Sequence, residues 1–539
     1  MSQQATTMSG DFSPQAPSRF LQVPPEILDR ITWHLTTPEL CNLRLTCRAA
    51  ELALHFRFTA EFFTRKQFMV SELSLGTLID ISKSRLAGHL RHVHLGLDQL
   101  DATANAWSNL SAETQRLYEQ RLTEQSTLWT LGLVPKYLSE AFSRLPNLES
   151  VVVRDFNSNR RSRDGPHAHW RSYGSQTLFK ETGVHPTPVQ LQHWANPSQV
   201  DNASRLFKAI VHALGMANAK PKTIEVMERQ DNLLHDSSFY IHPQFQASVL
   251  PVLQGLQRLH LCVDISWPPL SIARNAAQPC YKQHLTKFLH HCEALEELRI
   301  NGRRNSPISG TRPGLHQLFT WLAATESTPA PEPPVVTASS SDNEAASNST
   351  LDSPPVRLAH LANISLGMMT LTVNEIVQLV AKFADTLQYL ELWRIQLIPD
   401  PGSNNDVLVA KRAILFTQLL KKLLDIPNLN LRHIKLGMLQ QILDPNHRDL
   451  RMQEIDFKIN LDKASTSSPT GSDTEVTAKD EPTKNFLEYT GSDWRHFVAH
   501  EMIPRLRGVP FPGELQGNDE DMDEDEDEDD DDMDNDDEE

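Results

Sequence analysis

The chain has 539 residues, 39% hydrophobic and 22% charged, enough for a sizeable core, and its 34 Pro against 21 Gly point to many breaks. The formal net charge of -18 is local: residues 519–539 carry 18 acidic side chains and no Lys or Arg, leaving 51 acids against 51 bases elsewhere. That balance argues against the domain-wide basic footprint of a nucleic-acid binder, and no run of about 18 apolar residues is present to cross a membrane.

Residues 1–18 are polar and Pro-containing, without a basic stretch followed by an apolar one, and read as a disordered leader and not a signal peptide. The next segment, FLQVPPEILDRITWHLTTPELCNLRLTCRAAELALHF (Phe20 to Phe56), opens on Pro24 and Pro25, which suit a helix start, with Glu26 complementing the positive end of the helix. Ile27, Leu28, Ile31 and Leu35 form an apolar stripe, and the helix stops before Pro38. Thr37 is the expected cap of a second helix, with Pro38 at its first position. Leu40, Leu43 and Cys47 continue a stripe while Leu45 points elsewhere. The segment carries more apolar side chains than a bundle of about 40 residues can bury by itself, so a partner is expected to cover part of them.

This order of residues resembles the F-box family. Val23, Pro24, Glu26 and Ile27 fall on its opening Leu-Pro-x-Glu-Ile, and Leu40, Leu43, Leu45, Cys47 and Arg48 on its second half. Two departures are visible: Val23 replaces the opening Leu, and Ala49–Ala50 stand where a Trp often follows the Cys-Arg pair. The resemblance implies a three-helix module over 19–66 that binds a Skp-type adaptor and, through it, a cullin. It implies an adaptor surface drawn from Val23, Pro24, Ile27, Leu28, Ile31, Leu35, Leu40 and Leu43. Such a protein makes and breaks no bond itself; it raises the local concentration of a substrate.

Beyond residue 66 a short pattern, LxxLxL, recurs: LRHVHLGL (90–97), LESVVV (148–153), LQRLHL (256–261), LEELRIN (295–301), LANISL (361–366), LQYLEL (387–392) and LRHIKL (431–436), with a degenerate TIEVME at 223–228. Alternation puts Leu259 with Leu261, and Leu390 with Leu392, on a buried face, and turns His260 and Glu391 outward. Helical stripes lie between: 204–214, 281–292, 372–387 (Ile376, Leu379, Val380, Phe383) and 410–424. Strand followed by helix, repeated, resembles a leucine-rich-repeat solenoid, although the spacing varies from 26 residues (Leu361 to Leu387) to 39 (Leu256 to Leu295) and 44 (Leu387 to Leu431). An ordinary α/β domain is the alternative. The expected fold is therefore α/β: an F-box at 19–66, an irregular repeat domain at 67–511 with disordered insertions at 327–355, 399–406 and 464–484, and an acidic disordered tail at 512–539.

The five cysteines, Cys41, Cys47, Cys262, Cys280 and Cys292, show no CxxC pair and read as buried thiols of an intracellular chain, cytoplasmic, nuclear or both. No GxGxxG, P-loop, GxSxG or HExxH occurs, so no cofactor and no enzymatic activity are expected. His496 and His500, with Glu501, lack a third ligand and a correctly placed catalytic Glu; they and Cys280, His290, His291 and Cys292 read as ordinary residues, and no metal is expected. A basic loop, 154–171, combines Arg with Phe156 and Trp170; Arg160, Arg161 and Arg163 are candidates to hold the acidic tail. The composite expectation is a substrate receptor of a ubiquitin ligase for an unknown protein substrate. The alternatives are a non-degradative F-box scaffold, or a chromatin- or histone-associated binder whose tail meets basic proteins.

Overall fold

Each Leu-rich segment alternates apolar and polar residues, which in extended backbone sends the apolar set to one face. The computed structural model describes residues 23–100, 110–160, 162–165, 169–188, 202–229, 233–264, 284–302, 313–325, 354–404, 414–444, 452–459 and 483–509. Within these, ten strands form one sheet: β1 (Arg65–Met69), β2 (His92–Gly96), β3 (Ser150–Arg154), β4 (Thr223–Met227), β5 (Arg258–Cys262), β6 (Glu297–Asn301), β7 (Asn363–Gly367), β8 (Tyr389–Trp393), β9 (His433–Gly437) and β10 (Phe486–Thr490). Strand order equals chain order, and every neighbouring pair is parallel except β9 with β10. The eight Leu-rich segments are β2 to β9.

The registers align one buried pair per strand, Val93/Leu95, Val151/Val153, Ile224/Val226, Leu259/Leu261, Leu298/Ile300, Ile364/Leu366, Leu390/Leu392 and Ile434/Leu436, all at most 3% exposed. His260 and Glu391 sit between these pairs and are only half-buried, as the alternation requires. Crossovers carry helices that continue the same core, among them Glu72–Lys83, Leu133–Phe142, Asn202–Ala217, Pro243–Gln254, His284–His290, Pro313–Ala323, Val373–Lys382 and Leu415–Leu424. The helix from Val373 shows why the sequence folds so locally. Thr372 caps it, Glu375 returns the bond to the Thr372 amide at 2.7 Å, and Ile376, Leu379 and Val380 enter the core, with Phe383 just past its end. It ends at Lys382, short of the expected 387; the helices expected at 281–292 and 410–424 are described from His284 and Leu415.

Three consecutive strands end alike. Met368, Arg394 and Met438 follow β7, β8 and β9 with φ of 54°, 56° and 52°, a left-handed conformation that costs a non-glycine residue about 1–2 kcal/mol. The turn sends the chain into a second ladder, in which Thr370–Thr372 and Gln396–Ile398 pair in parallel, as do Gln396–Ile398 and Leu439–Gln441. The antiparallel strand Gln453–Lys458 extends it, and Thr483–Lys484 and Leu506–Gly508 pair antiparallel with that strand in turn. The insertion expected at 399–406 is ordered over 399–404: Asp400 accepts the Asn374 amide at 3.0 Å and pairs with Lys422 at 3.6 Å, tying two helices together. The leader and the acidic tail lie outside the described residues, as does most of 327–355 and 464–484.

Candidate docking surface on the N-terminal helices

The N-terminal unit comprises four helices, α1 (Pro25–Trp33), α2 (Thr37–Leu45), α3 (Arg48–Ala53) and α4 (His55–Phe62), one more than expected. The extra boundary lies at Leu54, which ends α3 and precedes α4. The cap of α2 is Thr36 and not Thr37. Glu39 lies three residues beyond Thr36, so its carboxylate can accept the Thr36 amide at 2.8 Å while the Thr36 hydroxyl accepts from the Glu39 amide. That hydrogen bond to the Thr36 amide holds the Glu39 carboxyl below its ordinary range. Cys47, expected on a buried stripe, is instead the exposed cap of α3, its sulfur accepting from the Ala50 amide at 3.4 Å, and Cys41 is half-buried.

The unit sorts the eight candidate residues into two sets. Leu28 and Leu40 are 4% and 0% exposed and form its interior with Leu54 and Phe62; Val23, Leu35 and Leu43 pack partly against them. These five hold the helices together. Pro24, Ile27 and Ile31 remain exposed along α1, Ile27 at 46% and Ile31 at 39%, at spacings of three and four that place them on one side of the helix. Four further apolar side chains, none of them on the predicted stripes, are also exposed: Trp33, Leu45 (82%), Leu52 and Phe56 (80%). Leu45 was legible as the residue off the stripe of α2; Leu52 and Phe56 needed the α3–α4 boundary. The Arg57 guanidinium lies 4.9 Å from the Trp33 ring and Arg44 lies 3.4 Å from that of Phe58, so cations cover part of this apolar surface.

The unit is joined to the sheet by the basic loop. Arg163, a candidate partner of the acidic tail, is otherwise engaged: its side chain is 5% exposed, and Nε and Nη2 donate to the two Glu61 carboxylate oxygens at 2.9 and 2.7 Å. A guanidinium buried and paired in this way cannot also receive the tail. The side chains of Arg160 and Arg161 lie outside the described residues.

A second polar centre sits on the outer side of β1–β3. Gln67 donates to the Ser172 hydroxyl at 2.8 Å and accepts from Arg154 Nε at 2.8 Å; Ser172 in turn donates to Asp98. Burial pushes the Asp98 carboxyl up and Arg154 down to about 10. A Cβ on Gly96 would crowd the Ser172 hydroxyl and push it away from Gln67 and Asp98. His94 is 5% exposed; burial, then the nearby charges of Arg154, Arg65 and His92, lower it to about 3. Unfolded, it titrates at its ordinary value, so between about pH 6.5 and pH 3 the unfolded chain holds a proton that the folded one refuses. Stability is therefore lost on acidification, by about 2 kcal/mol between pH 7 and pH 5 from this group. Urea unfolding at the two pH values checks it: His94→Gln should flatten the dependence by about that amount, and an unchanged slope would refute the assignment.

Glu501 pairs with Arg505, and His500 Nδ1 meets the His496 carbonyl at 3.1 Å. Among the described residues no group of three or more His, Cys, Asp or Glu is placed to hold a metal. Cys292 is buried, which pushes its thiol up. No family model matches the chain, and no curated protein matches it. Fold and surface thus define a mixed α/β protein with a large, mostly parallel sheet and a helical unit bearing uncovered apolar side chains.

Proposed function

We propose that this chain is the substrate-recognition subunit of a Skp-cullin-F-box ubiquitin ligase. The observation that carries the reading is the division of labour within the N-terminal helices. Leu28 and Leu40 stabilise the unit from inside, while Pro24, Ile27 and Ile31 stay uncovered on α1, the disposition of a helix stripe that docks into a partner's groove. Two of these three, Pro24 and Ile27, fall on the opening of the F-box pattern. The repeat reading draws support from the parallel sheet, since strands in chain order, of which β1 to β8 are each followed by helical segments, are what stacked leucine-rich repeats produce.

The outer strand positions then form the capture surface. Over β8–β10 these include Tyr389 stacked on His433 at 5.8 Å, and Lys435 held between Glu391 (3.4 Å) and Glu488 (3.8 Å) and 5.1 Å from the Trp393 ring. Aromatic groups among fixed charges suit a protein ligand. The chain performs no bond chemistry in this scheme; it brings substrate lysines near activated ubiquitin. Tagged full-length chain should co-purify with a Skp-type adaptor and a cullin. Recovery of neither overturns the ligase reading, and recovery of the adaptor alone favours a non-degradative scaffold.

A further inference from the structure

The loop from Asp155 to Gly174 is stapled at both ends. At its base, Asp155 accepts the Arg229 amide at 2.8 Å, Ser172 accepts from Gln67 at 2.8 Å, and the Tyr173 amide donates to the Gln67 carbonyl at 2.8 Å, so both ends of the loop are fixed to the β1–β4 region. At its tip, a 3-10 turn, Ser162–Asp164, presents two adjacent side chains to the helical unit. Arg163 holds Glu61 of α4 with two nitrogens and donates the third, Nη1, to the carbonyls of Thr32 and Leu35, the latter at 2.7 Å. Asp164 accepts from the Thr37 amide and the Thr37 hydroxyl, both at 2.6 Å.

The signs fit the helix ends. The last turn of α1 and the residues after it point carbonyls along the negative end of that helix, and a cation meets them; the first turn of α2 points amides along its positive end, and a carboxylate meets them. Reversing the dipeptide would set like charges against like at both ends. Only a planar guanidinium can grip a carboxylate with two parallel bonds and still reach a carbonyl, so Lys is no substitute. A second attachment, Arg85 to Glu51 on α3 with His55 against His89 at 5.6 Å, is more exposed and lies on the α3–α4 side of the unit.

We propose that Arg163 and Asp164 are positioning residues: their contacts with Glu61, Thr32, Leu35 and Thr37 act as a strut that sets the angle between the helical unit and the sheet. The α1 stripe is thereby held in one orientation relative to the outer face of the strands. In the ligase reading, on which this consequence rests, the strut fixes where captured substrate stands relative to the adaptor, and hence which lysines are reached.

The test is a spin-label distance measurement on the full-length chain, with Cys41, Cys47 and Cys280 replaced by Ser and labels at Ala49→Cys and Arg432→Cys, both exposed positions. The parent should give one narrow distance peak. R163A/D164A should lose that peak to a broad distribution, while helical content, thermal unfolding of the sheet and adaptor capture stay as in the parent. A peak as narrow as the parent's overturns the proposal. Should R163A/D164A lose helical content, the pair R163K and D164N, which keep side-chain volume but remove the fork and the charge, carries the same criterion. Failure of the parent to capture an adaptor refutes the ligase reading and leaves the distances untouched; an unbroadened peak refutes the strut and leaves capture untouched.

Discussion

Replacing Ile27 and Ile31 together by Ala should abolish capture of a Skp-type adaptor while leaving the fold intact. Both side chains are exposed in the free chain and neither belongs to the buried cluster of the unit, so their truncation opens no enclosed cavity and costs little stability. If each is a hot spot, truncation costs about 2 kcal/mol, or roughly 30-fold in affinity, and the pair about a thousandfold if the two are additive. Titration calorimetry against purified adaptor measures the loss, and circular dichroism verifies that the helices persist. Binding within a factor of about three of the parent would remove α1 as the adaptor surface.

Leu40→Ala should act in the opposite manner, by unfolding the helical unit from inside. Leu40 is fully buried, and among the described residues the buried apolar members of its cluster are Leu28, Leu40, Leu54 and Phe62. Cavity formation at such a site costs about 2–5 kcal/mol, and a unit of about 40 residues holds little in reserve. Hydrogen exchange should show amides of α1–α4 losing protection while those of β4–β9 keep theirs, because the sheet's core is a separate and much larger cluster. Adaptor binding would be lost as well, but together with helicity, which distinguishes this variant from the Ile27/Ile31 pair. Uniform loss of protection across both parts would show that unit and sheet unfold as one.

Much of the sheet was legible from local pattern. An LxxLxL segment places its last two apolar residues two apart, and a strand has period two, so face and burial follow at once, as Leu390 and Leu392 show at 0% exposure. β1 escaped because Lys66 occupies the position where β2 to β9 place an apolar residue. The ordered turn at 399–404 escaped because Asp400 acts as a cap for a helix start 26 residues earlier in the chain, and composition carries no record of such a partner. The one-residue shift of the α2 cap had a local signal, Thr36 with Glu39, that competed with an equally plausible Thr37 before Pro38.

Local pattern was enough for β2 to β9 and their buried faces, for the helix stripes between them and for the confinement of excess negative charge to residues 519–539. These are properties of period and composition, readable within a few residues. Tertiary structure alone decided that Leu28 and Leu40 turn inward while Ile27 and Ile31 stay out. A stripe tells which residues share a side, and only the neighbouring helices determine how wide a sector they cover. It also decided the role of Arg163 and Asp164. Their partners, Thr32, Leu35, Thr37 and Glu61, lie between 102 and 131 residues away, and contacts across that distance exist only once sheet and helices have packed.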